Sequence, residues 1–245
     1  MSFFGHPVRR EGRTTLAANR NVEEVLTRPR SSGPFGTPST QFGKRSMDIC
    51  FAIMMLVLFA PVLLTICICL YAKGQRHLFY QHKRIGKDGR EFGCFKFQTM
   101  VADADLRLRE LIEGDEELRR EWAETRKLKS DPRIIPGIGA FLRSSSLDEL
   151  PQLFNILRGE MSLVGPRPVT KDELDVYYGV FKRHYLMVKP GLTGPWQLGG
   201  RSDTSYDERV QQDTWYVENA TLMTDLSIFV RTVTMFLTAR LKGSC

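Results

Sequence analysis

The chain contains one long stretch without a charged residue, Ile49-Cys-Phe-Ala-Ile-Met-Met-Leu-Val-Leu-Phe-Ala-Pro61-Val-Leu-Leu-Thr-Ile-Cys-Ile-Cys-Leu-Tyr-Ala72. With a helix rise of about 1.5 Å per residue, it is long enough to cross a hydrocarbon core of roughly 30 Å. A spanning helix, a buried core helix and a re-entrant hairpin within one leaflet are the three alternatives. The unbroken apolar length disfavours the core helix.

Two features of this stretch favour the re-entrant hairpin. Pro61 lies near its middle, where proline lacks a backbone donor and its ring clashes with the carbonyl of Val57, so we expect a kink or break. Both flanks are basic, with Lys44 and Arg45 before the stretch and further lysines and arginines after it. Because a spanning helix leaves its basic excess on one side, neither end is suited to crossing.

This placement divides the chain into three parts. Residues 1–43 are predicted to form a disordered basic tail, because they are rich in Arg, Pro, Ser and Gly and cannot bury enough apolar surface to offset the loss of entropy. Residues 44–76 form the re-entrant membrane helix, and residues 77–245 form a small cytoplasmic domain. The predicted fold class is α+β and mainly helical, with a short β-hairpin and amphipathic interfacial helices.

Local patterns predict the elements of the third part. An Asp-Gly turn within residues 87–90, between two aromatic-rich runs, indicates a β-hairpin. Residues 101–127 have the profile of an amphipathic helix with a break near Gly114. A serine among residues 144–146 is expected to cap a helix over residues 147–157, and Gly159 is expected to end it. Residues 221–242 suit an amphipathic helix that lies either on a membrane surface or on the protein's own core.

Composition narrows the class of protein only partly. The 245 residues are 42% hydrophobic and 26% charged, which is ordinary for a folded chain. A formal charge of +7 favours an anionic partner, and nucleic acid, anionic lipid and nucleotide sugar all qualify. The five cysteines show neither zinc-ligand spacing nor a disulfide framework, so they are interpreted as small buried residues in a reducing compartment.

The segment from Arg143 to Pro168 combines two adjacent carboxylates with two arginines and a Gly-Pro-Arg-Pro turn. On a helix the side chains of Asp148 and Glu149 would diverge by about 100°, so we expect separate roles for them rather than joint action on one proton. A helix N-terminus would keep Asp148 ionised, available to attack or to bind a cation. The alternative is that both residues only compensate the helix dipole.

Two sets of side chains are candidates for binding phosphate or substrate. Arg143 and Arg167 each offer a planar fork of donors that suits a diphosphate, although a surface arginine or an ion pair is the alternative for each. Thr193, Gln197 and Arg201 lie in a Gly- and Pro-rich segment with the composition of a ligand-binding loop. That segment is equally compatible with a structural loop held against the membrane.

Two motifs resemble a known family. Ser146-Leu-Asp-Glu-Leu-Pro-Gln-Leu153 and Met161-Ser-Leu-Val-Gly-Pro-Arg-Pro168 are similar to the signature of the bacterial sugar transferases, which are monotopic polyprenyl-phosphate phosphoglycosyl transferases. Lys189-Pro-Gly-Leu-Thr-Gly194 and Gly200-Arg-Ser-Asp203 extend the likeness. It covers the chain from Lys44 onward, and the length is closest to the small ExoY-type enzymes that initiate exopolysaccharide.

The resemblance implies an activity, substrates and a location. It implies transfer of a sugar 1-phosphate from a UDP-sugar to undecaprenyl phosphate, with Mg²⁺ and release of UMP, at the cytoplasmic face of the bacterial inner membrane. The expected partners are these substrates, the lipids of the cytoplasmic leaflet and, as a candidate, a second copy of the chain forming a homodimer, but no nucleic acid. Galactose or glucose is the expected sugar.

The resemblance also implies roles for individual residues. Asp148 would be the nucleophile that forms a phosphosugar-aspartyl intermediate, and Glu149 would either bind Mg²⁺ beside Asp148 or assist the lipid phosphate. Arg143 and Arg167 would steady phosphate oxygens. Lys44 and Arg45 resemble the family's basic pair, which lies at the headgroup boundary.

The sequence departs from the family at two positions. Gln98 replaces the arginine of a Lys-Phe-Arg-Ser/Thr-Met element, and Ala60 replaces the serine that often precedes the helix-breaking proline. Two other functions remain open. One is a membrane phosphatase or nucleotide-sugar hydrolase that uses the same aspartate with water as the acceptor. The other is a non-catalytic membrane-anchored scaffold of a polysaccharide assembly complex.

Overall fold

A computed structural model describes residues 37–101, 103–125, 128, 130–198 and 205–242. The helices are α1 (Pro38–Ala72), α2 (Ala104–Gly114), α3 (Glu116–Thr125), α4 (Ile138–Ser144), α5 (Gln152–Arg158), α6 (Lys171–Tyr177), α7 (Lys182–Leu186), α8 (Pro195–Leu198), α9 (Tyr206–Asn219) and α10 (Leu222–Lys242). The strands are β1 (Phe79–Ile85), β2 (Glu91–Phe97), β3 (Ser162–Val164) and β4 (Gly191–Thr193). The described chain is mainly helical, as predicted.

Helix α1 carries the apolar stretch and has 35 residues. By length and composition it is able to cross a membrane, and the side chains of its middle part are largely exposed. The helix begins at Pro38, inside the segment that was predicted to belong to the tail, whereas residues 1–36 of that tail lie outside the described residues. Pro61 lies within this helix, and the hairpin expected there is not visible as an interruption.

The N-terminal part of α1 is anchored by buried polar contacts. The carboxylate of Asp48 accepts hydrogen bonds from the Ser162 hydroxyl and the Leu163 backbone N–H, each at 3.0 Å. The Lys44 ammonium donates to the Val164 carbonyl at 3.2 Å. Strand β3 supplies all three of these partners, so the beginning of α1 is bonded directly to the strand that precedes the Gly-Pro-Arg-Pro turn.

The C-terminal part of α1 contacts the same domain through apolar side chains. Ile66 and Leu70 are buried in a cluster with Phe97 of β2 and Leu142 of α4. Burial of such side chains contributes about 1.5–3 kcal/mol each. Both ends of α1 are therefore packed on one globular body. In its middle, Met55 and Leu56 also pack against the core, whereas Val57 and Leu58 beside them are exposed.

The predicted β-hairpin is present. Strands β1 and β2 are antiparallel, with pairs running from Phe79 opposite Phe97 to Ile85 opposite Glu91. The turn places Asp88 at a φ of 58° and Gly89 at 78°, both in the left-handed region. Asp-Gly is favoured there because glycine has no Cβ and aspartate tolerates the left-handed conformation.

The predicted break in the following amphipathic helix is also present. Helix α2 ends at Gly114, and α3 begins at Glu116. The carboxylate of Asp115 accepts hydrogen bonds from the backbone N–H groups of Glu117 and Leu118 at 2.8 and 3.1 Å, so Asp115 caps the second helix. The end of the predicted helix, residues 126 and 127, lies outside the described residues.

The predicted helix over residues 147–157 is shorter in the structure. Residues Leu147–Glu149 form a single 3₁₀ turn, and α5 begins only at Gln152. Pro151 is the reason, because it has no N–H with which to bond the Leu147 carbonyl as an α-helix requires. No serine side chain caps the 3₁₀ turn or α5. The Ser145 hydroxyl donates to the carbonyl of Phe141 instead, at 2.7 Å. The helix ends at Gly159, as predicted, with a φ of 82°.

Strands β3 and β4 bring the two signature segments together. They pair in parallel, with Ser162 opposite Gly191 and Val164 opposite Thr193. A Cβ on Gly165 would lie 2.5 Å from the Lys189 carbonyl oxygen. The Gly-Pro-Arg-Pro turn and the Lys-Pro-Gly-Leu-Thr-Gly loop are thus in backbone contact, which only glycine permits at this position.

Helix α10 packs on the core with one face and has a second, exposed apolar face. Asp225 and Ile228 are buried, and Ile228 belongs to the main apolar cluster, so packing on the core is confirmed for one face. Met223, Leu226 and Val230 are exposed on the helix and leave a second face apolar. Such a face is suited to a membrane surface.

Candidate active site

The two adjacent carboxylates meet a single lysine. Lys96 Nζ lies 2.7 Å from Glu149 Oε1 and 3.9 Å from Asp148 Oδ2. Lys96 is on β2, whereas the carboxylates are on the 3₁₀ turn Leu147–Glu149. A cation from another element thus contacts both carboxylates, and the separate roles expected for them stay a prediction.

Asn155 fixes the position of β2, which carries Lys96, relative to α5. It is fully buried on α5, and its side-chain carbonyl accepts from the Phe95 backbone N–H at 2.9 Å. Its amide nitrogen donates to the Gly93 carbonyl at 2.8 Å and to Glu160 Oε2 at 2.6 Å. Since Phe95 immediately precedes Lys96, these bonds set the position of the lysine relative to the helix that follows the carboxylates.

The environment of Asp148 makes its carboxylate more basic. Burial raises the pKa of Asp148 above its usual value, and the neighbouring charge of Glu149 adds to this effect. The charges of Lys96 and Arg143 oppose it. A partly desolvated carboxylate beside two cations has the character of a nucleophile for an anionic phosphorus centre.

A cleft opens beside these groups, with an empty volume of about 270 Å³ that includes open solvent. The side chains and backbone that line it come from both sheets, from the 3₁₀ turn and from α5 and α8: Arg84, Cys94, Lys96, Glu149, Gln152, Arg167, Pro168, Gly191, Leu192 and Gln197. Three of them are cations. A concave surface with this charge favours a ligand that carries phosphate.

Arg167 enters the cleft in contact with an aromatic ring. Its guanidinium carbon lies 4.9 Å from the centroid of Trp196, and that of Arg209 lies 5.1 Å from the same ring. Both distances are in the range of cation–π attraction. Trp196 thus packs against Arg167, and the interpretation of its segment as a ligand-binding loop stays a prediction.

A buried carboxyl group lies behind the Gly-Pro-Arg-Pro turn. Asp213 Oδ2 accepts a hydrogen bond from the Tyr178 hydroxyl at 2.6 Å. Burial raises the pKa of Asp213 to about 6, although the Tyr178 hydrogen bond and the charges of Arg209 and Arg167 oppose the rise. This group supports the turn from inside the protein and lies away from the cleft lining.

The other predicted binding residues are distributed around this site. Gln197 lines the cleft, and its Oε1 is buried without a hydrogen-bond partner in the part of the chain that the structure describes. Arg143 is exposed at the end of α4, where its charge acts on Asp148. Thr193 is buried on β4 and shares a 2.7 Å hydrogen bond with Thr232. Arg201 lies outside the described residues.

Lys44 and Arg45 are bonded to the protein and do not line the cleft. The Lys44 ammonium forms an ion pair with Asp225 at 2.7 Å in a buried position. The Arg45 guanidinium donates to the carbonyls of Ile156 and Leu157 at 2.6 and 2.9 Å. These carbonyls belong to the last turn of α5, and a cation there stabilises the C-terminal end of the helix. Their role at lipid headgroups remains a prediction.

Three residues of the site were missed from the sequence. Lys96 belongs to the element in which Gln98 departs from the family, and the sequence assigned it no role. Gln98 donates a hydrogen bond to the Met100 carbonyl at 2.7 Å. Arg84 and Asn155 lack any distinctive spacing. The alternation of strand side chains was the only available signal, since it puts Arg84 on the face of the hairpin that carries Lys96.

Asp148 and Glu149 supply only some of the ligands that a magnesium ion needs. Among the described residues, no group of three or more His, Cys, Asp or Glu side chains could hold a metal. Mg²⁺ nevertheless is often held by one or two carboxylates together with substrate phosphates and water. Asp148 and Glu149 supply such a pair, beside a cleft suited to phosphate.

Comparisons with known proteins all point to one family. A family model described as bacterial sugar transferase matches residues 39–239. Exopolysaccharide production protein ExoY of Rhizobium meliloti is 45% identical over 219 residues, which cover 89% of this chain and 95% of that protein. Undecaprenyl-phosphate galactose phosphotransferase of Salmonella typhimurium is 46% identical over 199 residues, covering 81% of this chain and 42% of that protein.

A more distant relative is named for a different sugar. UDP-glucose:undecaprenyl-phosphate glucose-1-phosphate transferase of Klebsiella pneumoniae is 33% identical over 197 residues, which cover 78% of this chain and 39% of that protein. The chain therefore spans about two fifths of the length of several curated relatives that it matches, but nearly the whole length of the Rhizobium protein.

Proposed function

Since the chain belongs to the bacterial sugar transferase family, we propose that it transfers a sugar 1-phosphate from a UDP-sugar to undecaprenyl phosphate and releases UMP. The observation that carries the proposal is the contact of Asp148 and Glu149 with Lys96 beside a cleft lined by Arg84 and Arg167. The names of the Salmonella and Klebsiella relatives support the same reaction.

In the first half-reaction, Asp148 attacks the sugar-linked phosphorus of the UDP-sugar. A bond forms between a carboxylate oxygen and phosphorus while the phosphorus–oxygen bond to UMP breaks, and UMP leaves with the electron pair. Arg167 holds phosphate oxygens as charge moves toward the leaving group, which lowers the barrier because the donors are already in place. Lys96 limits the repulsion between the carboxylates and the diphosphate.

In the second half-reaction, an oxygen of undecaprenyl phosphate attacks the same phosphorus and displaces Asp148. Covalent catalysis allows a water-soluble donor and a lipid acceptor to react in turn at one centre.

Glu149 would assist the lipid phosphate or hold a cation. Mg²⁺, bound by Asp148 and Glu149, would neutralise diphosphate charge. The expected sugar is galactose or glucose, the two sugars in the names of these relatives.

The proposed location is the cytoplasmic face of a bacterial inner membrane, with α1 as a re-entrant helix. The support is that both ends of α1 contact one domain: Lys44 and Asp48 through β3, and Ile66 and Leu70 through β2 and α4. A spanning helix would separate its ends by the roughly 30 Å hydrocarbon core, and a folded domain on one side could not contact both.

Cysteine labelling tests this topology. In a cysteine-free background, single cysteines at Ser39 and at Gln75 are expected to react with a membrane-impermeant reagent on inverted vesicles, whose cytoplasmic face is outward. A cysteine at Leu58, which is exposed in the middle of α1, is the matched control and is expected to stay unlabelled because lipid covers it. Protection of position 39 with position 75 still reactive would mean that the helix spans.

Radiolabel transfer tests the reaction. With UDP-galactose or UDP-glucose labelled in the sugar, we expect label in an organic-extractable lipid only when undecaprenyl phosphate is present. Labelled UMP is expected to exchange into the UDP-sugar without lipid, because the aspartyl intermediate forms before the acceptor reacts. Label in water-soluble sugar phosphate would indicate the hydrolase alternative, and no transfer of label would indicate the scaffold. Absence of exchange despite lipid labelling would favour direct transfer.

A further inference from the structure

Arg84 is a cleft cation that has no role in the mechanism above. Its guanidinium is held on two nitrogens, because Nη1 donates to Glu173 Oε2 at 2.8 Å and Nη2 lies 3.1 Å from His82 Nδ1. The side chain is only 14% exposed and lines the cleft with Arg167. A guanidinium held in this way loses little entropy when it binds a ligand.

Arg84 contacts one neutral ring and one carboxylate. Burial, together with the charges of Arg84 and Lys96, lowers the pKa of His82 to about 4, so the ring is neutral near pH 7 and accepts from Arg84. Burial would raise the pKa of Glu173, but the Thr170 backbone N–H and the charge of Arg84 lower it overall. Among the residues that the structure describes, Glu173 is the carboxylate paired with Arg84, whereas Lys96 contacts two carboxylates.

Arg84 and Lys96 lie at different levels of the same hairpin face. Arg84 pairs with Phe92, and Lys96 pairs with Tyr80. Four strand positions separate these pairs, which corresponds to roughly 13 Å at 3.3 Å per residue. This distance separates the backbone levels, and both long side chains reach the same cleft. A diphosphate whose sugar-linked phosphorus is at Asp148 can therefore place its second phosphate between Lys96 and Arg84.

We propose that Arg84 binds the phosphate of the departing nucleotide, and so is a substrate-binding residue for UMP and for the corresponding part of the UDP-sugar. The proposal rests on the proposed function for the identity of the nucleotide. A guanidinium could equally bind the phosphate of undecaprenyl phosphate. The experiment must therefore distinguish the nucleotide phosphate from the lipid phosphate.

The test is UMP binding to the full-length protein in detergent, measured by calorimetry and without turnover. Arg84→Gln is expected to weaken the Kd for UMP at least tenfold. Arg84→Lys, which keeps the charge and the partner Glu173 but loses the planar fork, is expected to weaken it several-fold. Arg90→Gln is the matched control, since it removes an exposed arginine of the same hairpin, and its Kd is expected to equal that of wild type.

Each alternative outcome is distinct. An unchanged Kd for UMP in Arg84→Gln, with a raised KM for undecaprenyl phosphate, would assign Arg84 to the lipid and overturn the proposal. If Arg84→Gln does not fold, an unchanged Kd in Arg84→Lys would overturn it equally. If UMP binding depends on Arg84 while no lipid is ever labelled, the nucleotide site stands and only the proposed transfer reaction fails.

Discussion

Asp148→Asn is expected to abolish sugar-phosphate transfer, with turnover lower by roughly 10³-fold or more, because an amide cannot form the acyl phosphate intermediate. The substitution hardly changes side-chain volume. Lys96 keeps its 2.7 Å contact with Glu149, so the fold and membrane association are expected to persist. The measurements are UMP release, labelling of extractable lipid and thermal unfolding of the same preparation.

A matched control separates loss of the nucleophile from loss of one negative charge. Asp172→Asn makes the same chemical change at an exposed position in the first turn of α6 and is expected to retain wild-type turnover. Near-normal UMP release by Asp148→Asn would exclude Asp148 as the nucleophile. Loss of UMP release together with a large drop in unfolding temperature would instead show that its carboxylate is structural.

Lys44→Met is expected to destabilise the protein by about 3–5 kcal/mol, because it leaves buried carboxylates without their cation. The ammonium is 2.7 Å from Asp225 Oδ2 and 3.6 Å from Asp48 Oδ1. The three side chains are all buried, with exposures of 10% for Lys44, 3% for Asp48 and 0% for Asp225. Burial raises the pKa of Asp225, and the charge of Lys44 opposes that rise. Thermal unfolding in detergent measures the effect.

Two further variants make this result interpretable. Lys73→Met removes an exposed lysine just after α1 and is expected to change stability by less than about 0.5 kcal/mol. The double variant Lys44→Met with Asp225→Asn is expected to recover part of the lost stability, since one orphaned charge is removed. If Lys44→Met unfolds like wild type but binds anionic vesicles more weakly, the headgroup role predicted from the sequence is correct.

The features that were predicted well are local ones. The turn at Asp88-Gly89, the break after Gly114 and the helix end at Gly159 each depend on the backbone preferences of a few neighbouring residues, and the structure contains all three. The apolar stretch is similarly visible, because about twenty consecutive apolar residues form a helix able to enter a membrane. The structure also brings Glu149 and Arg167, which belong to motifs, to one cleft, while the chemical roles of Asp148, Glu149 and Arg167 stay predictions.

The features that were missed depend on contacts between distant parts of the chain. The ion pair of Lys44 with Asp225 was not anticipated, because nothing near position 44 indicates that partner. The role of Lys44 at lipid headgroups stays a prediction. The shared contact of Asp148 and Glu149 with Lys96 depends on a strand fifty residues earlier in the chain. A charged side chain has the same local propensity whether it meets water, lipid or a buried carboxylate. Its partner is chosen by tertiary packing, since only the folded chain brings together charges that local sequence does not relate.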